Sequence, residues 1–337
     1  MKTLNKRFLI ISTAVMGLGL ILIFCSLLMV NFNVMALDLC GEPKKVIEEY
    51  PTDKIKSISV NLASTDVIVR KTNLDKIRFI YYTTDCCPSE VEDTGENLTL
   101  SENFDYGLKQ LTKGVFHGIR KYGLKVIIEI PDTLSGSKLE DFEIKIRLFN
   151  GNIDISDVSA NNITAKTSNG SIYVKNINSY QNIDVSTSNG GIYLSYIDDI
   201  NGKINALTSN GMIDASEITA KNLDCKTSNG SIEFSYIITN IVSAGTSNGN
   251  IDVKNIKSDD IKLETSNGYI NGNIVGNPKN YQVSSSTSNG NNSLEVYNNK
   301  NEELYKKLDV HTSNGDISVK FSDEALTTED DLFDEDI

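Results

Sequence analysis

Tryptophan is absent from this chain, and histidine, proline and cysteine are scarce, with two, five and five in 337 residues. His117 and His311 are the only histidines, and their scarcity nearly excludes histidine-based chemistry as an expectation. Cys25, Cys40, Cys86, Cys87 and Cys225 include no Cys-x-x-Cys pair, so no structural zinc site is expected, and no other metal or cofactor. Cys25 lies in an apolar run and Cys225 in a repeat slot filled elsewhere by Ala, Val or Leu, so both read as small hydrophobes, while a disulfide from Cys40 to Cys86 or Cys87 stays open. Positive charge is short as well: 32 Lys and Arg face 45 Asp and Glu, a formal charge of -13. Such a chain repels phosphate backbones, and nucleic acid is set aside as a partner.

Long apolar runs are missing with one exception. Lys2, Lys6 and Arg7 precede an uncharged run of 23 residues from Phe8 to Val30, and the next charge is Asp38. A helix of that length spans a hydrocarbon core of ~30 Å. The sequence therefore predicts a cytosolic N-terminus over 1–7, a transmembrane anchor over 8–32 and a linker over 33–54. An anchor is preferred to a signal peptide cleaved after Val34-Met35-Ala36, because signal cores run to roughly 7 to 15 residues. All the basic residues near the run precede it, so a single pass through the cell membrane is expected, with the remainder extracytoplasmic. At the far end 322–337, rich in Asp and Glu and poor in apolar residues, reads as an acidic disordered tail.

What is abundant is a repeat. Thr-Ser-Asn-Gly occurs eight times, from Thr167, Thr187, Thr208, Thr227, Thr246, Thr265, Thr287 and Thr312, at spacings of 19 to 25 residues. A near-constant period of this size marks a solenoid. Two residues after each Gly stand Ile172, Ile192, Ile213, Ile232, Ile251, Ile270 and Ile317, broken by Asn292. Four after it stand Val174, Leu194, Ala215, Phe234, Val253, Leu294 and Val319, broken by Gly272. The positions two and four before each Thr are apolar too, from Ile163 and Ala165 to Leu308 and Val310, broken by Ser285. Alternation on both sides of a turn is strand periodicity. A third apolar slot, seven after the Gly, holds Ile177, Ile197, Ile218, Ile237, Ile256 and Val275 and marks a further corner.

The expected fold class is all-β: a parallel β-solenoid of about nine coils of ~20 residues over 144–321, on an N-terminal β cap over 55–143, preceded by one transmembrane helix. Asn169-Gly170, Asn189-Gly190, Asn210-Gly211, Asn229-Gly230, Asn248-Gly249, Asn267-Gly268, Asn289-Gly290 and Asn314-Gly315 read as structural turns, since Asn and Gly tolerate positive φ. Their Asn and Ser columns are expected to stack as side-chain hydrogen-bond ladders. The pattern reaches upstream through 144–158 around Phe149-Asn150-Gly151, and a detached relative lies at 55–70 around Leu62-Ala63-Ser64-Thr65.

These coils, with the opening Ile58-Ser59-Val60-Asn61-Leu62-Ala63-Ser64-Thr65-Asp66-Val67 and the strand Val126-Ile127-Ile128-Glu129-Ile130-Pro131, carry a resemblance. Over about residues 55–320 the chain resembles the bacterial putative-adhesin family of β-strand-repeat proteins, a domain of unknown function often found behind one membrane helix. The resemblance implies a β-strand-repeat architecture and an adhesin-like role, with relatives near envelope-stress systems, and it brings no catalytic residues.

The residue three after each Gly faces outward, giving Tyr173, Tyr193, Asp214, Glu233, Asp252, Asn271, Ser293 and Ser318 in chain order. Three successive coils thus place Asp214, Glu233 and Asp252 in one column at about 5 Å spacing. Tyr173 and Tyr193, with Tyr196 and Tyr236 three positions further along their own coils, form an aromatic patch on which a sugar or protein can rest. These seven are the candidate binding residues, and a hydrophilic stripe with ordinary surface tyrosines is the plain alternative. The expected function is a non-enzymatic adhesin-like binding or scaffolding module of the cell envelope, partnered by an envelope protein or polysaccharide, with a role in envelope stress implied by the resemblance. Two alternatives stand beside it: a carbohydrate-active β-helix enzyme using the carboxylates, and a sensor subunit of a membrane signalling complex.

Overall fold

The computed structural model describes residues 42–84, 88–102, 124–131, 141–295 and 306–322, with 16, 17, 19 and 21, and only the backbone at 180, 199 and 200. The chain divides into two compact units. One comprises Met1–Lys44, Thr83–Pro88 and Asn103–Tyr122, and few of its positions are described. The other comprises Lys45–Tyr82, Ser89–Glu102 and Gly123–Ile337 and holds the fold set out below. Among the described residues no helix is long and apolar enough to cross a membrane. Nearly all of the anchor expected over 8–32, together with Cys25, Cys40, Cys86, Cys87, His117 and the tail beyond Ser322, lies outside the described residues.

Parallel strands of the second unit stack in register, and apolar ladders make its core, among them the following three. The first runs Val126, Val67, Ile153, Ile172, Ile192, Ile213, Ile232, Ile251, Ile270, Ile317. The second runs Leu98, Ile58, Ile144, Ile163, Ile183, Ile204, Leu223, Val242, Ile261, Leu308, Val283. The third lines the further corner as Ile177, Ile197, Ile218, Ile237, Ile256 and Ile274. β-Branched side chains suit a pleated surface buried on one side, and each buried Ile contributes about 1.5–3 kcal/mol, which a lone coil has no neighbour to realise. Long strands such as Ile213–Lys226 and Ile232–Gly245 follow the coil round this corner without a break.

At the Thr-Ser-Asn-Gly bend the expected Asn ladder is present. Asn229 Nδ2 donates to Asn210 Oδ1 and Asn248 Nδ2 to Asn229 Oδ1, both at 2.8 Å, and the chain of such bonds extends from Asn150 to Asn289. The Ser column stacks through its backbone instead: Ser247 N–H and Asn248 N–H both reach Ser228 C=O, at 3.2 and 3.0 Å. The Thr side chain adds a bond of its own, Thr227 Oγ1 donating to Gly211 C=O at 2.9 Å while accepting from Gly230 N–H at 3.2 Å.

The role of the repeat glycine differs from the expectation. The described glycines with positive φ are Gly95, Gly151, Gly272 and Gly276, so the repeat glycines from Gly170 onward are not left-handed. A Cβ on Gly230 would lie 1.8 Å from the carbonyl oxygen of Gly211. Close approach between coils, and not turn conformation, is what demands glycine here. The left-handed residues stand at the other corner, six after the glycine: Asp157, Asn176, Tyr196, Glu217, Tyr236 and Asn255, with φ of 52 to 58°.

Coil order also departs from chain order at both ends. Ser57–Ser64 pairs with both Asn97–Glu102 and Glu143–Asn150, and Asp66–Thr72 pairs with both Lys125–Pro131 and Ile153–Ser156, so the segment read as a detached relative is an integral coil. Antiparallel pairing occurs at this end, between Lys76–Thr83 and Lys125–Pro131 and between Ser89–Asp93 and Asn97–Glu102. At the other end the last coil in sequence, Lys306–Thr312 with Ile317–Ser322, inserts between the Ile251–Glu264 coil and Tyr281–Thr287. Outward Ser318 therefore follows Asn271 directly, reversing the expected order of Ser293 and Ser318. The reason lies in the inward slots: Leu308, Val310, Ile317 and Val319 are apolar and buried, whereas the Thr287 coil carries Ser285 and Asn292 there. The more polar coil takes the end, where Asn292 Nδ2 bonds Ser285 Oγ at 2.9 Å. One slot is corrected as well: a register shift after Val253 brings Ile274, not Val275, into the corner ladder.

Candidate functional site

The outward column three after the repeat glycine is assembled as the strand period demands. Pairing runs Asp154, Tyr173, Tyr193, Asp214, Glu233, Asp252, Asn271, Ser318. Ile232 and Phe234 on either side of Glu233 are buried while Glu233 is exposed, so the alternation read from sequence holds at the centre of the stack. Asp214 and Asp252 are half-buried.

These carboxylates line a concavity of about 640 Å³. The outward column supplies Asp214, Glu233, Asp252 and Asn271, the next outward slot Ser216, Ser235 and Lys254, and the left-handed corner Glu217 and Tyr236. Gly272, at a slot filled elsewhere by Val, Leu or Phe, lines one end. Burial pushes the Asp214 carboxyl above the usual carboxylate range. Glu233 is raised by burial first and then by the charges of Asp214 and Asp252. Asn271 Nδ2 donates to Asp252 Oδ1 at 3.3 Å, and the Asp252 charge holds the Tyr269 hydroxyl above its ordinary value. Among the described residues no group of three His, Cys, Asp or Glu is placed to hold a metal ion.

Tyr236 does not stack with the other tyrosines. Its ring lies under Lys254, with Nζ 5.2 Å from the centroid, and Lys175 sits likewise 5.6 Å over Tyr196. A left-handed conformation costs a tyrosine or glutamate about 1–2 kcal/mol, whereas Asn and Asp adopt it more readily. The coils hold Tyr196, Glu217 and Tyr236 there because the residue after each, Ile197, Ile218 and Ile237, is at most 1 % exposed.

Tyr173 and Tyr193 stack on each other two rungs upstream, with centroids 4.8 Å apart and planes 7° from parallel. Gly191 makes room for this, since a Cβ there would meet Tyr193 Oη at 2.7 Å. Tyr193 pairs with Asp214, so the stack adjoins the acidic column, while Tyr196 stays at the corner outside the concavity. Of the seven candidates, Asp214, Glu233, Asp252 and Tyr236 thus meet in one concavity, Tyr173 and Tyr193 extend its column, and Tyr196 stands apart. Lys254, Glu217 and Asn271 complete the site and were not among the candidates. Their signal is in the sequence, since Asn271 stands in the slot-three column itself and the slots five and six after each glycine, which hold Lys254 and Glu217, align as readily. Cys225 is fully buried and burial pushes its thiol up, in keeping with a small hydrophobe.

The profile of the Toastrack DUF4097 family matches residues 55–320. No curated protein matches the chain. Among solved structures, a putative adhesin from Parabacteroides merdae is 12% identical over 84% of this chain and 98% of that chain, with a TM-score of 0.43. A putative adhesin from Bacteroides fragilis is 13% identical over 83% and 97%, with a TM-score of 0.38. A putative cell adhesion protein from Clostridium sporogenes is 13% identical over 83% and 100%, with a TM-score of 0.19. The family profile takes in the coil at 57–72, every Thr-Ser-Asn-Gly coil and the whole acidic column, and the chain belongs to the Toastrack DUF4097 family.

Proposed function

We propose that the chain is an adhesin-like binding and scaffolding module of the bacterial cell envelope, held by a single-pass anchor over 8–32 with its solenoid outside the cytosol. The basic residues before the uncharged run support that orientation. The acidic concavity is the binding surface, and its task is recognition without turnover. The observation that carries this reading is electrostatic. Asp214, Glu233 and Asp252 are held on adjacent rungs of a rigid stack, where burial raises the Asp214 and Glu233 carboxyls and repulsion from Asp214 and Asp252 raises Glu233 further. A partner that brings hydroxyl or amino donors relieves that repulsion on binding, and the Tyr173–Tyr193 stack beside it supplies an apolar platform. Envelope polysaccharide and a basic envelope protein both have this chemistry, and a link to envelope stress follows if such binding reports on the integrity of the wall.

Immobilised envelope polysaccharide and envelope protein fractions, titrated with the full chain in detergent, test the proposal. Binding is expected to weaken at least about tenfold in an Asp214→Asn, Glu233→Gln, Asp252→Asn triple variant, a change of about 1.4 kcal/mol. Undiminished binding by a folded triple variant would place the surface elsewhere. A carbohydrate-active reading draws on Lys254, which joins the carboxylates in the concavity. Polysaccharide cleavage lost in Asp214→Ala would favour it over recognition alone.

A further inference from the structure

The outward face before each threonine carries a second cluster, away from the acidic column. His311 lies on Lys306–Thr312, paired with Ser286 of the end strand Tyr281–Thr287 on one side and with Glu264 on the other. Asp309 is two residues before His311 and so shares its face of the strand. Ser286 Oγ is 2.7 Å from His311 Nδ1, and Asp309 Oδ1 is 2.5 Å from His311 Nε2. A carboxylate only accepts, so in the neutral ring Nε2 carries the proton, and Nδ1 keeps a lone pair that accepts from the Ser286 hydroxyl. Nucleophile, base and orienting carboxylate are therefore in contact, in the order that activates a serine. Ser286 and His311, with Asp309 behind the ring, border a groove of about 570 Å³ lined also by further Ser and Thr residues, Lys226 and Glu264.

We propose that Ser286, His311 and Asp309 form an ester-cleaving site that acts on short acyl groups carried by hydroxylated polymers. The lining contains no large apolar side chain, which suits a short acyl group on a polar carrier and not a lipid chain. Ser286 Oγ attacks the ester carbonyl carbon as its proton passes to His311 Nδ1, and the carbonyl π electrons move onto oxygen. Collapse breaks the ester C–O bond, and the departing alkoxide takes the proton from Nδ1. Water then attacks the acyl-serine with the same nitrogen as base, releasing the carboxylic acid and restoring the hydroxyl. Asp309 holds the ring in the tautomer this needs and stabilises the imidazolium that forms. The Ser288 and Ser313 hydroxyls in the same groove are available to donate to the developing oxyanion. This activity goes beyond the binding reading and uses a different face of the coil.

The full chain in detergent is treated with a fluorophosphonate probe, the labelled peptide is identified by mass spectrometry, and hydrolysis of p-nitrophenyl acetate is followed. One label at Ser286 is expected, with hydrolysis abolished in Ser286→Ala. Labelling and hydrolysis should both slow about 10²-fold in His311→Gln, the usual scale of general-base assistance. Ser243→Ala, on the same face but outside the cluster, should change neither. Labelling of the unaltered chain depends on no variant folding, so absence of label at Ser286 overturns the proposal. Label that is undiminished in His311→Gln of unchanged circular dichroism overturns it too.

Discussion

At the Thr-Ser-Asn-Gly bend each coil from Thr167 onward repeats the same four residues and the same Asn and Thr side-chain bonds to the next coil, whereas at the left-handed bend the residue changes from Asp157 to Asn176, Tyr196, Glu217, Tyr236 and Asn255. The first bend brings backbones together so closely that a Cβ on the glycine has no space, and its Asn and Thr side chains point along the stack into the next coil. The second bend asks for a backbone conformation and accepts side chains of different chemistry, which bond or stack as each allows: Asn176 to Asp157, and Tyr236 under Lys254. Uniformity therefore marks the edge that holds coils together, and variation marks the edge beside the acidic concavity.

The sharpest test of this contrast is Gly230→Ala. The added Cβ collides with the Gly211 carbonyl, and a loss of about 4 kcal/mol or more is expected, read as a lowered urea midpoint. Next in size is Phe234→Ala, which empties a slot only 2 % exposed and should cost about 3 kcal/mol. Hydrogen exchange should locate that damage in the neighbouring coils, around Ala215 and Val253, because coils support mainly their neighbours. Loss of protection concentrated in 55–130 would show that the stack does not behave rung by rung.

At the variable bend the sign should reverse. Tyr236→Asn places a residue that tolerates positive φ where a tyrosine is strained, and should stabilise the fold by about 1 kcal/mol while losing the Lys254 contact. A destabilised variant would mean that the ring's contacts outweigh its backbone strain. The smallest effect is pH-dependent. Glu233 is held above the usual carboxylate range, so the native state keeps its proton to higher pH than the unfolded chain does. Its ionisation therefore opposes folding at neutral pH, and stability recovers as pH falls through the raised value. Glu233→Gln should be slightly more stable than the parent at pH 7, with the difference vanishing below about pH 4. Paired urea titrations at the two pH values check it.

Much of the fold was legible in the sequence, and for a stated reason. A period of two inside strands, and of about twenty between turns, sorts Ile232 and Phe234 from Glu233 without any knowledge of contacts. The acidic column followed from the same arithmetic, because in-register stacking converts equal offsets into neighbours. The Ser286 and His311 pair was legible by that rule as well, since both immediately precede a repeat threonine, and the scarcity of histidine drew attention away from it. The glycine's purpose was not, because a one-dimensional pattern shows that glycine recurs and not whether conformation or crowding requires it.

By itself the sequence determined the strand period, the turns, the inward slots and the outward columns, since each depends on a residue's distance along the chain from the nearest Thr-Ser-Asn-Gly. The tertiary structure decided which coil lies on which. Ser57–Ser64 and Lys306–Thr312 both insert between strands that chain order would have made adjacent, and Glu264 faces His311 only because of the second insertion. Every coil presents the same backbone edge to its neighbours, so local pattern leaves the stacking order open. Burial settles it, placing the coil with Leu308, Val310, Ile317 and Val319 inside and the coil with Ser285 and Asn292 at the end.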